Sequence, residues 1–243
     1  MTVKITVEYD GTDFCGWQVQ PNGRTVQQEI ETALNKLVGK EIKVVGSGRT
    51  DSGVHALGQV ASFSVDENIP AERYAYALNA LLPSDVRVTA SERVEDGFSA
   101  RFSAKRKTYS YTFYESEVIR PLSDRYAERV NGKLNETAMQ KAGEYLIGTH
   151  DFKCFLAANS QVKDTVREIY AVKVERKGEK VTFSVTGNGF LYNMVRIIAG
   201  TLLDIGQGKN PPEKMQEILL SQKRNLAGKT LSAKGLTLIS VEY

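Results

Sequence analysis

Two consecutive β-α-β-β-α-β runs predict an α+β protein of two tandem ferredoxin-like (split βαβ) halves. Three observations carry this: apolar residues alternating at period two, apolar stripes at period 3.6 between them, and Gly or Pro at the joints. Residues 2–10 place Val3, Ile5, Val7 and Tyr9 on one face, as a strand does. A turn-rich stretch with Gly11, Gly16, Pro21, Asn22 and Gly23 follows. Thr25-Val26-Gln27-Gln28 is a capping box, and Ile30, Ala33, Leu34, Leu37 and Val38 continue one helical stripe that Gly39 can end. A short strand is expected over 41–46, a Gly-rich loop over 46–58 and a strand over 59–66. A helix runs from Pro70 to Leu82 before Pro83, and a strand covers 86–92.

The second half repeats the order. Residues 107–115 alternate Tyr109, Tyr111 and Phe113. A helix is expected over 135–147, capped by Asn135. Segments 166–176 and 180–187 form a hairpin around Lys177-Gly178, helices follow over 190–205 and 211–220, and a strand over 236–241 closes the chain. The boundary falls near 103–105. Two domains are expected, 1–104 and 105–243. No residue-level repeat relates them.

At 243 residues, with 41% hydrophobic and 25% charged, the chain has the composition of an ordinary globular protein, not of a collagen-like or disordered one. The cysteines, Cys15 and Cys154, fit no metal-ligand spacing, and the only histidines are His55 and His150. No metal site is therefore expected. No uncharged apolar run reaches the roughly 18 residues of a membrane span. The closest, 187–205, is broken by Arg196 and Asp204. The first seven residues alternate like a strand and show no leader pattern, so a cytoplasmic protein is expected. Net charge is +3, from 32 basic and 29 acidic residues. That is too even to signal nucleic acid, so local clustering must carry any such reading.

The densest local signal is Gly46-Ser47-Gly48-Arg49-Thr50-Asp51-Ser52-Gly53-Val54-His55-Ala56. Asp51 sits among small residues beside Arg49, and a nearby cation favours the ionised carboxylate. That suits a nucleophile or an electrostatic stabiliser more than a general acid. An Asp that merely caps a tight turn fits the composition as well. The loop lacks the Gly-x-x-x-x-Gly-Lys-Ser/Thr of a phosphate loop, and no helix follows as a dinucleotide site requires. Asp51-Ser52-Gly53 resembles an aspartic-protease triplet, but a paired carboxylate would have to come from a second copy.

Arg101-Phe102-Ser103-Ala104-Lys105-Arg106-Lys107 leads into the strand bearing Tyr109. Cations beside stackable rings suit looped RNA, and a solvated linker remains the plainer alternative. Arg24, Arg101, Lys105, Arg106 and Lys107 are the candidate RNA contacts. Arg196 lies within an apolar helical stretch, where a charge needs a partner or must reach solvent along its stem. The cations of 223–229 fit a solvated loop or a phosphate contact. His55 fits a backbone hydrogen-bonder better than a proton shuttle, and Trp17 fits the core better than a base platform.

Tyr9-Asp10-Gly11-Thr12-Asp13-Phe14-Cys15-Gly16-Trp17-Gln18, Gly48-Arg49-Thr50-Asp51-Ser52-Gly53-Val54-His55-Ala56, Phe98-Ser99-Ala100-Arg101-Phe102 and Asn193-Met194-Val195-Arg196 occur in that order. This set resembles the tRNA pseudouridine synthase A family across nearly the whole chain. Ser52 is a departure, since many members carry Ala there. The resemblance implies two ferredoxin-like domains with mostly antiparallel sheets joined across a central cleft. It further implies a homodimer and isomerisation of uridine at positions 38, 39 and 40 of the tRNA anticodon stem-loop, with no cofactor or metal. By residue, it implies Asp51 as nucleophile, Tyr109 as the substrate-contacting tyrosine, Arg196 as the cation paired with Asp51, and Arg49 as the arginine that holds the flipped-out site open. An RNA-binding protein without activity is the rival, and it would not need Asp51 and Arg196 together.

Overall fold

A computed structural model of the chain describes residues 1–66, 68–157 and 162–243. It divides into two compact units, Met1–Lys105 with Thr237–Tyr243, and Arg106–Leu236. In chain order the first unit contributes β1 (Thr2–Tyr9), α1 (Val26–Val38), β2 (Val45–Gly46), β3 (His55–Ser64), α2 (Tyr74–Asn79) and β4 (Val86–Val94). The second contributes β5 (Arg106–Glu115), α3 (Pro121–Asp124), β6 (Glu128–Val130), α4 (Glu136–Glu144), β7 (Gly148–Asp151), β8 (Val166–Lys177), β9 (Lys180–Gly187), α5 (Met194–Gly206) and α6 (Lys214–Ser221). The last strand is β10 (Leu236–Glu242).

In the first unit β1 lies between β3 and β4, antiparallel to both, and its predicted face of Val3, Ile5, Val7 and Tyr9 is buried. Helix α1 starts as the capping box predicts: the Gln28 N–H donates to Thr25 Oγ1 at 3.4 Å. It packs Val26, Ile30, Ala33 and Leu34 into the core. The strand expected over 41–46 shrinks to the two residues of β2, which pair with Ser62 and Ala61 of β3. Polar side chains of α1 take the hydrogen bonds that a longer ladder would have used. Ile42 N–H donates to Asn35 Oδ1 (2.6 Å), Val44 N–H to Glu31 Oε1 (3.0 Å), and Gln27 Nε2 to the Val44 carbonyl (3.1 Å). Backbone groups accept such substitutes because what they require is a partner, not a particular ladder.

The other end of that β3 edge is occupied by β10, which runs parallel with Thr237 opposite His55 and Leu238 opposite Ala56. The closing strand, assigned by chain order to the second half, therefore belongs to the first unit. Lys105 N–H also donates to the Glu242 carbonyl, and Tyr243 packs on Phe98 at 5.0 Å between ring centres. The predicted 70–82 helix resolves into a 3-10 turn, Ala71–Arg73, and the short α2. Asn79 at its end accepts from Val88 N–H and donates to the Val88 carbonyl, both at 2.8 Å. One side-chain amide thus stands in for a neighbouring strand along β4.

In the second unit β5, β9, β8 and β7 follow one another antiparallel, and β6 pairs parallel with β5. The predicted β8–β9 hairpin is present, with Lys177 opposite Lys180. Helix α4 is capped by Asn135, whose Oδ1 accepts from Ala138 N–H at 3.0 Å. Tyr111, Phe113, Met139, Phe183, Ile197, Ile198 and Leu202 are fully buried in its core. Helix α5 begins at Met194, later than the predicted 190, because Asn193 is in the left-handed region (φ 60°). No helix is long and apolar enough to cross a membrane among the described residues.

Candidate active site

The loop from Ser47 to Val54 joins β2 to β3 and carries Asp51 half-buried at its centre. Its entry is held by Gln59, fully buried, which accepts from Ser47 Oγ at 2.6 Å and donates to the Gly48 carbonyl at 3.1 Å. Its middle is held by Tyr9, whose hydroxyl lies 2.7 Å from Thr50 Oγ1, and by Trp17 N–H donating to the Thr50 carbonyl at 3.1 Å. Its exit closes on itself, Val54 N–H donating to the Asp51 carbonyl at 3.1 Å. Ser52 Oγ and Gly53 N–H both donate to the Phe14 carbonyl. Burial pushes the Tyr9 phenol up to about 12, against the lowering effect of its Thr50 and Gln59 hydrogen bonds. It therefore stays protonated and available to this contact at neutral pH.

The first motif, residues 9–18, is thus the bed on which the Asp51 loop lies. Two glycines make the contact possible. A Cβ on Gly11 would overlap the Val54 carbonyl, and one on Gly16 would lie 2.5 Å from the Thr50 carbonyl oxygen. Gly16 also has φ +87°, which other residues seldom adopt. His55 is buried, and its Nδ1 accepts from the Gly11 N–H at 3.0 Å, the backbone role expected of it. Trp17 is a buried core residue, 6.1 Å from the Tyr9 ring. Sequence reading missed Tyr9, Thr50 and Gln59 as a group. The available signal was two hydrogen-bonding side chains, Tyr9 and Gln59, at positions the alternation marks as inward; Thr50 lies in the loop and had none.

Tyr109 and Arg196 belong to the second unit. Tyr109 lies on β5 opposite Val185 of β9, with 8% of its surface exposed and its ring edge-on to Phe190 at 5.2 Å. Arg196 is half-buried in the first turn of α5. Its Nε donates to the Leu231 carbonyl and one terminal nitrogen to Asn193 Oδ1, each at 2.7 Å. Asn193 holds the arginine instead of capping its helix. The strap containing Leu231 reaches α5 because Gly228 and Gly200 meet backbone to backbone, and Gly228 N–H donates to Thr201 Oγ1 at 2.9 Å. Arg196 is therefore a fixed group, not one that reaches solvent along its stem.

Among the candidate RNA contacts, Arg24 is paired within the first unit. Its guanidinium makes two bonds to Asp85 (2.6 and 3.0 Å) and one to Glu29 (2.5 Å), and stacks 4.2 Å from the centre of Phe14. Two carboxylates neutralise it, so it serves the first unit's own structure. Arg101, Lys105 and Arg106 are exposed, Lys107 is half-buried, and Arg106 lies 4.8 Å over the Tyr170 ring. Arg49 is exposed beside Asp51. In the 223–229 stretch Arg224 donates to the Gly228 carbonyl and to Thr230, so it stiffens the strap. No group of three or more His, Cys, Asp and Glu side chains that could hold a metal exists among the described residues.

A family model described as "tRNA pseudouridine synthase" matches residues 5–103 and 142–243. Curated relatives named "tRNA pseudouridine synthase A" include those of Bacillus pumilus, 49% identical over 100% of this chain and 99% of the relative, and of Brevibacillus brevis, 48% identical over 99% of each. The chain is also similar to one chain of a solved Cbf5-Nop10-Gar1 complex, 16% identical, over 97% of this chain and 48% of that one, with a TM-score of 0.39.

Proposed function

The chain belongs to the tRNA pseudouridine synthase A family, isomerases that act on tRNA, and from that membership we propose Asp51 as the nucleophile that converts uridine to pseudouridine. The observation that carries the assignment is the Asp51 loop, pinned at entry, middle and exit by buried partners. A carboxylate that only capped a turn would not require that frame. Fixed placement of a reacting group is where much of an enzyme's rate enhancement originates.

The substrate uridines are at positions 38, 39 and 40 of the tRNA anticodon stem-loop. The target base leaves the stack, because its glycosidic bond is out of reach within it. Asp51 then acts by one of two routes: its carboxylate attacks the sugar C1′ as the C1′–N1 bond breaks, or it adds to C6 of the base. In both, the C1′–N1 bond breaks, uracil turns within the site and C5 bonds to C1′; the bond to Asp51 (at C1′ or at C6) breaks to return the free carboxylate, the C5 proton leaves and N1 gains one. The C1′ route resembles the covalent step of retaining glycosidases. Arg196, held in one orientation by Asn193 and Leu231, is the cation that keeps Asp51 ionised. Tyr109 packs on the base. Arg49 holds the flipped-out state. Exposed Arg101, Lys105 and Arg106, with Lys107, contact phosphates. The enzyme works as a homodimer in the cytoplasm.

The test is tritium release from unmodified tRNA labelled at uridine C5. Wild type releases label, and Asp51→Asn releases none while still binding tRNA, because phosphate contacts dominate affinity. Turnover by Asp51→Asn at the wild-type rate would refute the role given to the carboxylate. Binding without release by either protein would favour an RNA-binding protein without activity.

A further inference from the structure

We propose that Phe102 is a stacking platform for an unpaired nucleobase of the tRNA, a contact distinct from the flipped uridine and from the phosphate contacts. The inference rests on the reading of the chain as a tRNA-acting enzyme. Phe102 is 81% exposed. A lone exposed apolar side chain is ordinary on a protein surface. What sets this one apart is the frame that displays it. The turn from Ser99 to Ser103 closes on itself, Ser103 N–H donating to the Ser99 carbonyl (2.9 Å) and Ser99 N–H to Ser103 Oγ (3.3 Å). Ala100, fully buried, anchors the turn to the unit: its N–H donates to Ser62 Oγ (3.0 Å) and its carbonyl accepts from Tyr243 (2.8 Å). Phe98, four residues earlier, packs on Tyr243. One phenylalanine of the pair thus anchors this region while the other is held out to solvent by the same anchored turn.

The surroundings select the partner. The Arg101 guanidinium lies 5.4 Å from the Phe102 ring centre, and Lys105 follows on the same exposed stretch. An aromatic face with cations beside it matches the two surfaces of an RNA loop, π-faced bases and anionic phosphates. A second copy of this chain is the competing occupant, but the charged group that lies against the ring is the Arg101 cation, which complements a phosphate backbone.

Stacking and charge separate by salt. Binding of unmodified tRNA is measured between about 50 and 200 mM salt, the range over which counterion release is resolved, for wild type, Phe102→Ala, Phe102→Trp and Arg101→Gln. Phe102→Ala is expected to weaken binding about 5- to 150-fold, the span of one base–aromatic stack, with the slope of log affinity against log salt unchanged. Phe102→Trp restores affinity, and Arg101→Gln lowers the slope by about one. Thermal unfolding of Phe102→Ala matches wild type, because the ring buries little. Unchanged affinity in Phe102→Ala overturns the proposal, as does a flattened salt slope in that variant. Conversion of a wild-type dimer to monomers by Phe102→Ala in sedimentation assigns the ring to the second copy instead. Failure of wild type to bind tRNA at all removes the tRNA reading itself, and turnover by Asp51→Asn removes only the nucleophile.

Discussion

The Asp51 loop and the Arg196 strap are held in place by opposite means. In the first unit the neighbours grip the loop backbone: Tyr9, Trp17, Gln59 and Phe14 bind the residues on either side of Asp51, and Gly11 and Gly16 let two main chains touch. In the second unit the neighbours grip the functional group itself, with Asn193 and the Leu231 carbonyl each taking a donor of the guanidinium. The difference follows from the chemistry of the two groups. A carboxylate on a short stem is placed by the backbone that carries it, as the role proposed for Asp51 requires. A guanidinium carries five donors, so two can fix its plane while its charge still acts on a partner.

This contrast implies that the first site fails through its backbone and the second through its side chains. The largest effect is expected from Gly16→Ala. The new Cβ meets the Thr50 carbonyl at 2.5 Å in a backbone with φ +87°, and neither strain can relax without moving the loop. A loss of about 3 kcal/mol in unfolding of the first unit is expected, with activity lost as well. A Gly16→Ala protein of wild-type stability and rate would break the claim that the loop lies in van der Waals contact with its bed.

Tyr9→Phe removes one hydroxyl and leaves the packing. Thr50 Oγ1, in a residue only 7% exposed, loses its 2.7 Å partner, which costs about 1–3 kcal/mol. The turnover number is expected to fall about 10-fold while tRNA affinity holds, since the change reaches Asp51 and no phosphate contact. An equal loss of affinity would mean that Tyr9 supports the RNA surface instead.

Asn193→Gly is expected to be the mildest. Glycine keeps the left-handed backbone at φ 60°, so only the 2.7 Å bond to Arg196 is lost. The Leu231 bond still holds the guanidinium, and because both side chains are only half-buried water can take the place of the lost bond; the turnover number should drop a few-fold with little change in melting temperature. A drop as deep as that of Arg196→Ala would show that Asn193 alone orients the arginine.

Much of the fold was legible in the residues. The β1 alternation, the Thr25 cap of α1, the Asn135 cap of α4 and the β8–β9 hairpin all depend on neighbours within a few positions, and all are present. The Asp51 loop stood out for the same reason, as a dense local cluster. What could not be read was partnership at a distance. Arg24 looked like a free cation because Asp85 lies sixty-one positions away. The 41–46 strand looked complete because nothing local shows that Asn35 and Glu31 would take its hydrogen bonds. The short β6 and β7 carry too few residues for a period to register.

The amino-acid sequence by itself determined where the capped helices and the long alternating strands lie, which loop holds the acid, and which family the motifs resemble, because caps, stops and periodicity act through adjacent residues. Only the tertiary structure decided that β10 completes the first unit, that residues 9–18 are the bed of the Asp51 loop, and that Arg196 is fixed by Asn193 and a strap running from Gly228 to Leu231. Those outcomes depend on which strand edge is open and which backbones can approach without a Cβ between them. Such conditions exist only once distant parts of the chain have packed.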